Sequence, residues 1–256
     1  MKKILLLPIL FCLLWMGCAE DRKKINESVV DDFKDSVATD AEAPKVAFYQ
    51  YGDSAAFPDA ILELHTPLGN QVFRPGKVPF EFNSKNYPFG EVTGDKPRLH
   101  MILNGGDPVG YYSTIFQREL TEGTYRVVGF LVDDEGHALK SFGNYVDRDF
   151  IVGESRPFPY SAEPYLAVNL PRNSQNLAVG EELVIDFLVL GGDMKLDGLK
   201  VQIQVNDYSY EIDHMAPVRL TNLPKGDYQV NVRLLWTGGK ELEGPFSMVT
   251  KTVYVR

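Results

Sequence analysis

The sequence predicts an all-β chain: two tandem β-sandwiches behind an N-terminal leader and a flexible tether. Three observations lead there. From about residue 45 apolar and polar residues alternate in short runs broken by Gly, Pro, Asn and Asp. The order of those runs occurs twice. No helical pattern of ordinary length interrupts them.

In the first repeat, Ala60 to Leu64 reads as a strand, and Val78-Pro79-Phe80-Glu81-Phe82 has the two-residue period of another. Pro79, which cannot donate to a ladder, places that second strand at an edge or a bulge. Arg98 to Leu103 and Ser113 to Leu120 follow. Glu122-Gly123 is a tight turn feeding a long strand to Val132, Asp133 to Gly136 is a turn, and Val146 to Val152 closes the unit.

The second half answers element by element. Tyr165 to Val168 matches the first strand, and Gly180 with Leu183, Ile185 and Phe187 matches Gly76 with Val78, Phe80 and Phe82. Leu199 to Val205 matches Leu99 to Leu103. Leu223-Pro224-Lys225-Gly226-Asp227-Tyr228-Gln229-Val230 lies over Leu120-Thr121-Glu122-Gly123-Thr124-Tyr125-Arg126-Val127, with Gly226 103 residues after Gly123. Turns and strands in register at one offset point to duplication.

Each repeat is about a hundred residues with about seven strand signals, the size and rhythm of an immunoglobulin-like or fibronectin-like sandwich. The Gly-x-Tyr-x-Val segments at Gly123 and Gly226 resemble the strand before the last hairpin of many bacterial immunoglobulin-like domains, whose tyrosine anchors the domain edge. The resulting division is leader 1–17, lipidated end and tether 18–44, first sandwich 45–153, linker 154–159 and second sandwich 160–256. In the joint Gly153 to Tyr160, prolines and two aromatics predict a stiff, packed hinge.

The leader MKKILLLPILFCLLWMGC has Lys2 and Lys3, an apolar run from Ile4 to Met16, and Gly17 before Cys18. It resembles a bacterial lipoprotein signal peptide, which implies cleavage before Cys18 and acylation of that residue. The run is shorter than the roughly 20 residues that span a bilayer, which counts against a retained transmembrane anchor. More than one acyl chain makes attachment persistent. Residues 19–44 are charged and poor in aromatics and form a spacer, with a short apolar stripe at Val29, Val30, Phe33 and Val37. Glu20 and Asp21 resemble the acidic export signals of some Bacteroidota lipoproteins. The expected location is the cell envelope at the outer membrane, with the surface and the periplasmic face both open.

Composition narrows the function classes. The chain has two cysteines; Cys12 leaves with the leader and Cys18 carries lipid, so the folded part has no disulfide, thiolate nucleophile or thiolate metal site. The net charge of −9 becomes −11 without Lys2 and Lys3, and no basic block points to nucleic acid.

No His-Glu-x-x-His run, Gly-x-Ser-x-Gly elbow, phosphate-binding glycine loop or calcium-loop spacing is present. His100-Met101 and His214-Met215 do not hold matching repeat positions, and neighbours along a strand face opposite ways. The acidic turn Asp133-Asp134-Glu135 has no carboxylate in its counterpart at Trp236 to Gly238. No catalytic residue, metal ligand or cofactor is therefore assigned. Loop aromatics are the better signal: Tyr111 and Tyr112 follow the Asn104 to Pro108 turn, and Tyr208 and Tyr210 occupy the matching turn of the second repeat. These four are the candidate partner-binding residues. The leading expectation is a non-enzymatic lipoprotein whose rigid tandem arm binds another envelope or extracellular protein. A carbohydrate-binding lipoprotein of a glycan uptake or attachment system is the alternative, and a hydrolase with a carboxylate pair is the third.

Overall fold

In the computed structural model, which describes residues 45–50, 56–89 and 96–256, the alternating runs form seventeen strands and four sheets. Cys18 and the tether lie outside the described residues. Ala43–Arg256 forms one compact unit.

In the first repeat, β2 (Ile61–Thr66), β4 (Gly76–Lys85) and β7 (Ile115–Leu120) form one antiparallel sheet with β4 in the middle. The facing sheet runs β3 (Gln71–Phe73), β9 (Tyr145–Val152), β8 (Gly123–Leu131), β5 (Leu99–Leu103), β6 (Val109–Tyr111), with β3 parallel to β9. Val78, Phe80, Leu99, Val127 and Phe150 are fully buried between the two.

The second repeat reproduces this order. Strands β10 (Tyr165–Leu170), β12 (Leu183–Leu190) and β15 (Val218–Thr221) stand for β2, β4 and β7. The other sheet runs β11 (Gln175–Leu177), β17 (Met248–Val255), β16 (Gly226–Trp236), β13 (Leu199–Val205), β14 (Tyr208–Ile212). Hydrogen bonds repeat with the strands. Tyr125 Oη donates to the Thr121 carbonyl at 3.0 Å and Tyr228 Oη to the Pro224 carbonyl at 2.8 Å, each tying its strand to the turn before it. The Asn104 side chain bridges Thr124 O and Arg126 N, as Asn206 bridges Asp227 O and Gln229 N.

Three features depart from the sequence expectation. Pro79 lies in a middle strand, opposite Gln117, where β4 has run past the end of β2 and no ladder bond needs its missing N–H. Tyr208 and Tyr210 belong to strand β14, not to a turn. Strand β1 (Ala47–Gln50), grouped by sequence with the first repeat, pairs antiparallel with β15 of the second. A clean split of the sheets at residues 153–160 therefore fails at this one strand.

A third apolar cluster joins the repeats. Ile102, Val128 and Phe130 on the outer face of β5 and β8 pack with Ala167, Leu188 and Leu190 of β10 and β12. Both faces of β8 and β12 are thus buried over much of their length.

Candidate functional site

The site starts from a β-bulge. In β10 the register with β12 shifts between Val168 and Leu170, leaving Asn169 as the extra residue, with Leu170 opposite Asp186. Asp186 is 0% exposed and Asn169 1%. A carboxylate buried this deeply requires partners, and the first repeat supplies them. Asp186 Oδ2 accepts from the Ala138 N–H and from Asn169 Nδ2, both at 2.7 Å. Asp186 Oδ1 pairs with the Lys140 ammonium, which also donates to the Phe187 carbonyl at 2.8 Å. Asn169 Nδ2 donates to Gly136 O at 2.8 Å, so its Oδ1 is the acceptor facing His100 Nδ1 at 3.0 Å. Burial holds the His100 imidazole below its usual pKa.

At the periphery Arg126 forms a two-pronged bond to Asp149, 2.7 Å on each prong, and lies 4.5 Å from the centre of the Tyr165 ring. Lys251, itself buried, bonds Asp107 at 2.6 Å. Phe158 of the joint meets Phe246 edge-on at 6.1 Å, while Tyr160 is exposed. Apolar packing and a buried charged network thus both join the repeats.

Where this interface opens to solvent it leaves a cleft of about 680 Å³. One wall is Phe142, carried on the Ser141–Asn144 turn, with the start of β9. Asn144 is buried and pins the turn: its Nδ2 donates to Ala60 O at 2.7 Å, and its carbonyl accepts from Leu131 N at 3.0 Å. Gly143 takes φ of 95°, the left-handed region that glycine enters without strain. The turn presents Phe142 with 97% of its surface exposed. Beside it stand Tyr145 and Asp147.

The opposite wall is the turn at Asp193 and the His214-Met215 loop. Asp193 Oδ1 caps the amides of Lys195 and Leu196 at 2.9 and 2.8 Å. Burial, followed by the Asp193 and Asp147 carboxylates, pushes the Tyr145 phenol up. His214 Nδ1 bonds Asp213 at 2.9 Å, and the Gln50 side chain of β1 meets its Nε2.

No serine, threonine or cysteine lines the cleft. No group of three metal-ligating side chains occurs among the described residues. The Asp133 turn is closed on itself, its Oδ1 accepting the Glu135 and His137 amides at 3.0 and 2.8 Å. The arrangement is suited to holding a group, with aromatic surface on one wall and a carboxylate on each.

The four candidate tyrosines have different surroundings. Tyr111 stacks on Phe116 at 3.6 Å and accepts a bond from Arg118 at 2.9 Å. Tyr208 packs against the second core, and Tyr210 stacks on Phe48 of β1 at 5.2 Å. Tyr112 is 68% exposed. Sequence reasoning passed over Phe142, Tyr145, Asp147 and Asp193; an aromatic inside the turn Ser141-Phe142-Gly143-Asn144 was the available signal.

No protein-family model matches this sequence, and no curated protein matches it. Among solved structures, the Clostridium thermocellum CbhA fibronectin(III)-like modules align at 10% identity over 77% of this chain and 94% of theirs, with a TM-score of 0.29. Bacteroides ovatus SGBP-B of a mixed-linkage glucan utilization locus, in complex with a mixed-linkage heptasaccharide, aligns at 12% identity with a TM-score of 0.22. That alignment covers 77% of this chain and 47% of SGBP-B, so the chain spans about half of that protein. The Yersinia pseudotuberculosis adhesin InvE aligns at 14% identity over 78% of this chain and 60% of its own, with a TM-score of 0.23. Likeness of this order leaves the functional reading to the residues themselves.

Proposed function

We propose that this chain is a non-enzymatic lipoprotein of the cell envelope, anchored through Cys18, whose two immunoglobulin-like sandwiches act as one rigid arm that binds another protein. The observation that carries this reading is the Asp186–Lys140 network. It fixes the two repeats so that walls from each meet in a preformed cleft, which is what a binding scaffold needs. The arm would stand on the outer membrane, facing either the surface or the periplasm, and no nucleic acid is a partner.

The course of β1 sets how the arm is held. The Lys45 carbonyl accepts from Asn222 Nδ2 at 3.0 Å, so the polypeptide heading for Cys18 leaves from the edge of the second repeat. Residues 19–44 number 26 and reach about 90 Å when fully extended.

A second reading has one observation in its favour. The flat, exposed Phe142 ring beside carboxylates also suits the face of a sugar, so glycan binding is the alternative. A photoreactive phenylalanine at position 142, in the lipidated protein in native membranes, separates the two. The protein-binding reading expects a discrete protein adduct that excess soluble wild-type arm competes away. Absence of any protein adduct, together with retention of the arm on a neutral glycan matrix, moves the reading to carbohydrate.

A further inference from the structure

We propose that the cleft between the repeats receives a lysine or arginine side chain carried by the protein partner. This rests on the protein-binding reading above and names the chemistry of what is bound.

The argument begins with charge. Asp147 and Asp193 stand on opposite walls, and Asp213 lies at the same mouth. Of the two lysines lining the cleft, Lys140 is engaged by buried Asp186, which leaves Lys195 as the cation facing three carboxylates. The His214 Nδ1–H is turned to Asp213, and its other nitrogen meets Gln50. An excess of negative charge between low-dielectric walls concentrates the field inside a cleft. Tyr145 lies within reach of both carboxylates: burial, and after it the Asp193 and Asp147 charges, raise its phenol.

Shape and softness select the type of cation. Phe142 stands fully out of the surface on a turn that Asn144 pins from below. Tyr145, Met194 and Met215 provide ring and thioether surface along the floor. Aromatic faces attract an ammonium or a guanidinium, and the aliphatic stem of either side chain covers apolar surface as its head reaches a carboxylate. A hydrated metal ion gains nothing from such a floor. About 680 Å³ accommodates a long side chain with part of its backbone. The net charge, −9 for the whole chain and −11 without Lys2 and Lys3, draws a basic partner in from a distance.

The test uses the purified full-length protein, fluorescent octalysine and octaarginine peptides, and a neutral oligosaccharide for comparison. Saturable peptide binding that weakens as salt is raised is expected, with Phe142→Ala and Asp193→Asn each lowering affinity at least five-fold. Asn at position 193 keeps the oxygen that caps Lys195 and Leu196, so its turn stands. Glu119→Gln, an exposed carboxylate on β7, is expected to leave affinity unchanged, and unaltered melting midpoints show that the variants are folded. Loss of affinity by the same factor in Glu119→Gln, indifference to Phe142→Ala, or no peptide binding each overturns the proposal. A protein adduct at position 142 without peptide binding would sink the basic-side-chain assignment alone. Absence of both would sink the protein-binding reading as well.

Discussion

The same bulge occurs in both repeats and has opposite surroundings. In the first, His65 is the extra residue of β2 and Thr66 lies opposite Glu81 of β4; in the second, Asn169 is the extra residue of β10 and Leu170 lies opposite Asp186 of β12. His65 and Glu81 are exposed, whereas Asn169 and Asp186 are buried beneath the first repeat. One backbone device thus serves water in one copy and an interface in the other. Register places the carboxylate, and the neighbour decides whether it carries structural weight.

The largest expected effect tests that difference directly. Asp186→Ala leaves the Lys140 ammonium in the interface without its counter-charge, and breaking a buried pair from one side costs about 3–5 kcal/mol. Glu81→Ala, at the matching register position, is expected to change stability by no more than about 0.5 kcal/mol. Denaturant titration of both variants compares them. Equal losses would show that the bulge, rather than the interface, is what depends on the acid.

The outer faces of the five-stranded sheets differ in the same sense. His100, Ile102, Val128 and Phe130 of the first repeat hold the register positions of Gln202, Gln204, Asn231 and Arg233 in the second. The first set is covered by β10 and β12; the second carries polar side chains that are half-buried. His100 is the titratable member. Around it are Asn169, the Phe130 ring at 5.6 Å, the Arg172 charge, which opposes protonation, and the Asp186 charge, which favours it. Burial is the largest influence and lowers the pKa below 6.5. The unfolded chain therefore takes up the proton first as pH falls, and folding loses stability from about 6.5 down to the folded pKa. His137 works in the other sense: its bond to Asp133 raises its pKa, so its contribution is present below 6.5 and lost as pH rises through the folded value.

Replacing His100 by its counterpart, His100→Gln, removes one acid-sensitive group. Between pH 7 and 5 the variant is expected to gain on the wild type by up to about 1.4 kcal/mol per pH unit. Denaturation midpoints across that range read the difference. Parallel curves would mean that His100 is reached by solvent in the folded protein.

Much of this framework was legible in the sequence. Gly123-Thr124-Tyr125 and Gly226-Asp227-Tyr228 marked the two edge-anchoring tyrosines, and their bonds to Thr121 and Pro224 have the expected form. The interface also left a signal. Leu99–Leu103 is nearly all apolar, whereas its counterpart Leu199–Val205 alternates strictly. A strand buried on both faces has no reason to alternate. Strand β1 could not be read this way, because four residues carry little pattern and its partner β15 begins at Val218. Nor could the cleft: the aromatic in the Phe142 turn was a signal for that residue alone, and only the packing of one repeat on the other brings it to the same cleft as Asp193.

The last difference lies at the sheet edges. On β15 the edge is covered by β1, with Phe48 opposite Leu220 and stacked on Tyr210. On β7, the counterpart, no described strand pairs beyond the edge. There Arg118 turns to Tyr111 at 2.9 Å, and the Ser113 hydroxyl meets the N–H and carbonyl of Ile115 at 3.1 and 2.9 Å. An inward charge and a local cap are two ways of making an edge unreceptive to another strand. Backbone alternation turns the Gln117 and Glu119 amides outward, since Pro79 has nothing to donate to Gln117 and the Phe82 N–H is given to Thr114. Hydrogen exchange in the wild type is therefore expected to be fast at Gln117 and Glu119 and slow at the β15 amides facing β1. Tyr49→Pro removes a donor from β1 and disfavours its pairing. With the lost backbone bond worth about 1 kcal/mol net, exchange at those β15 amides should rise about five-fold while β7 is unchanged. If the β15 amides stay slow in Tyr49→Pro, the second repeat shields its own edge and β1 serves only to lead the chain away from it.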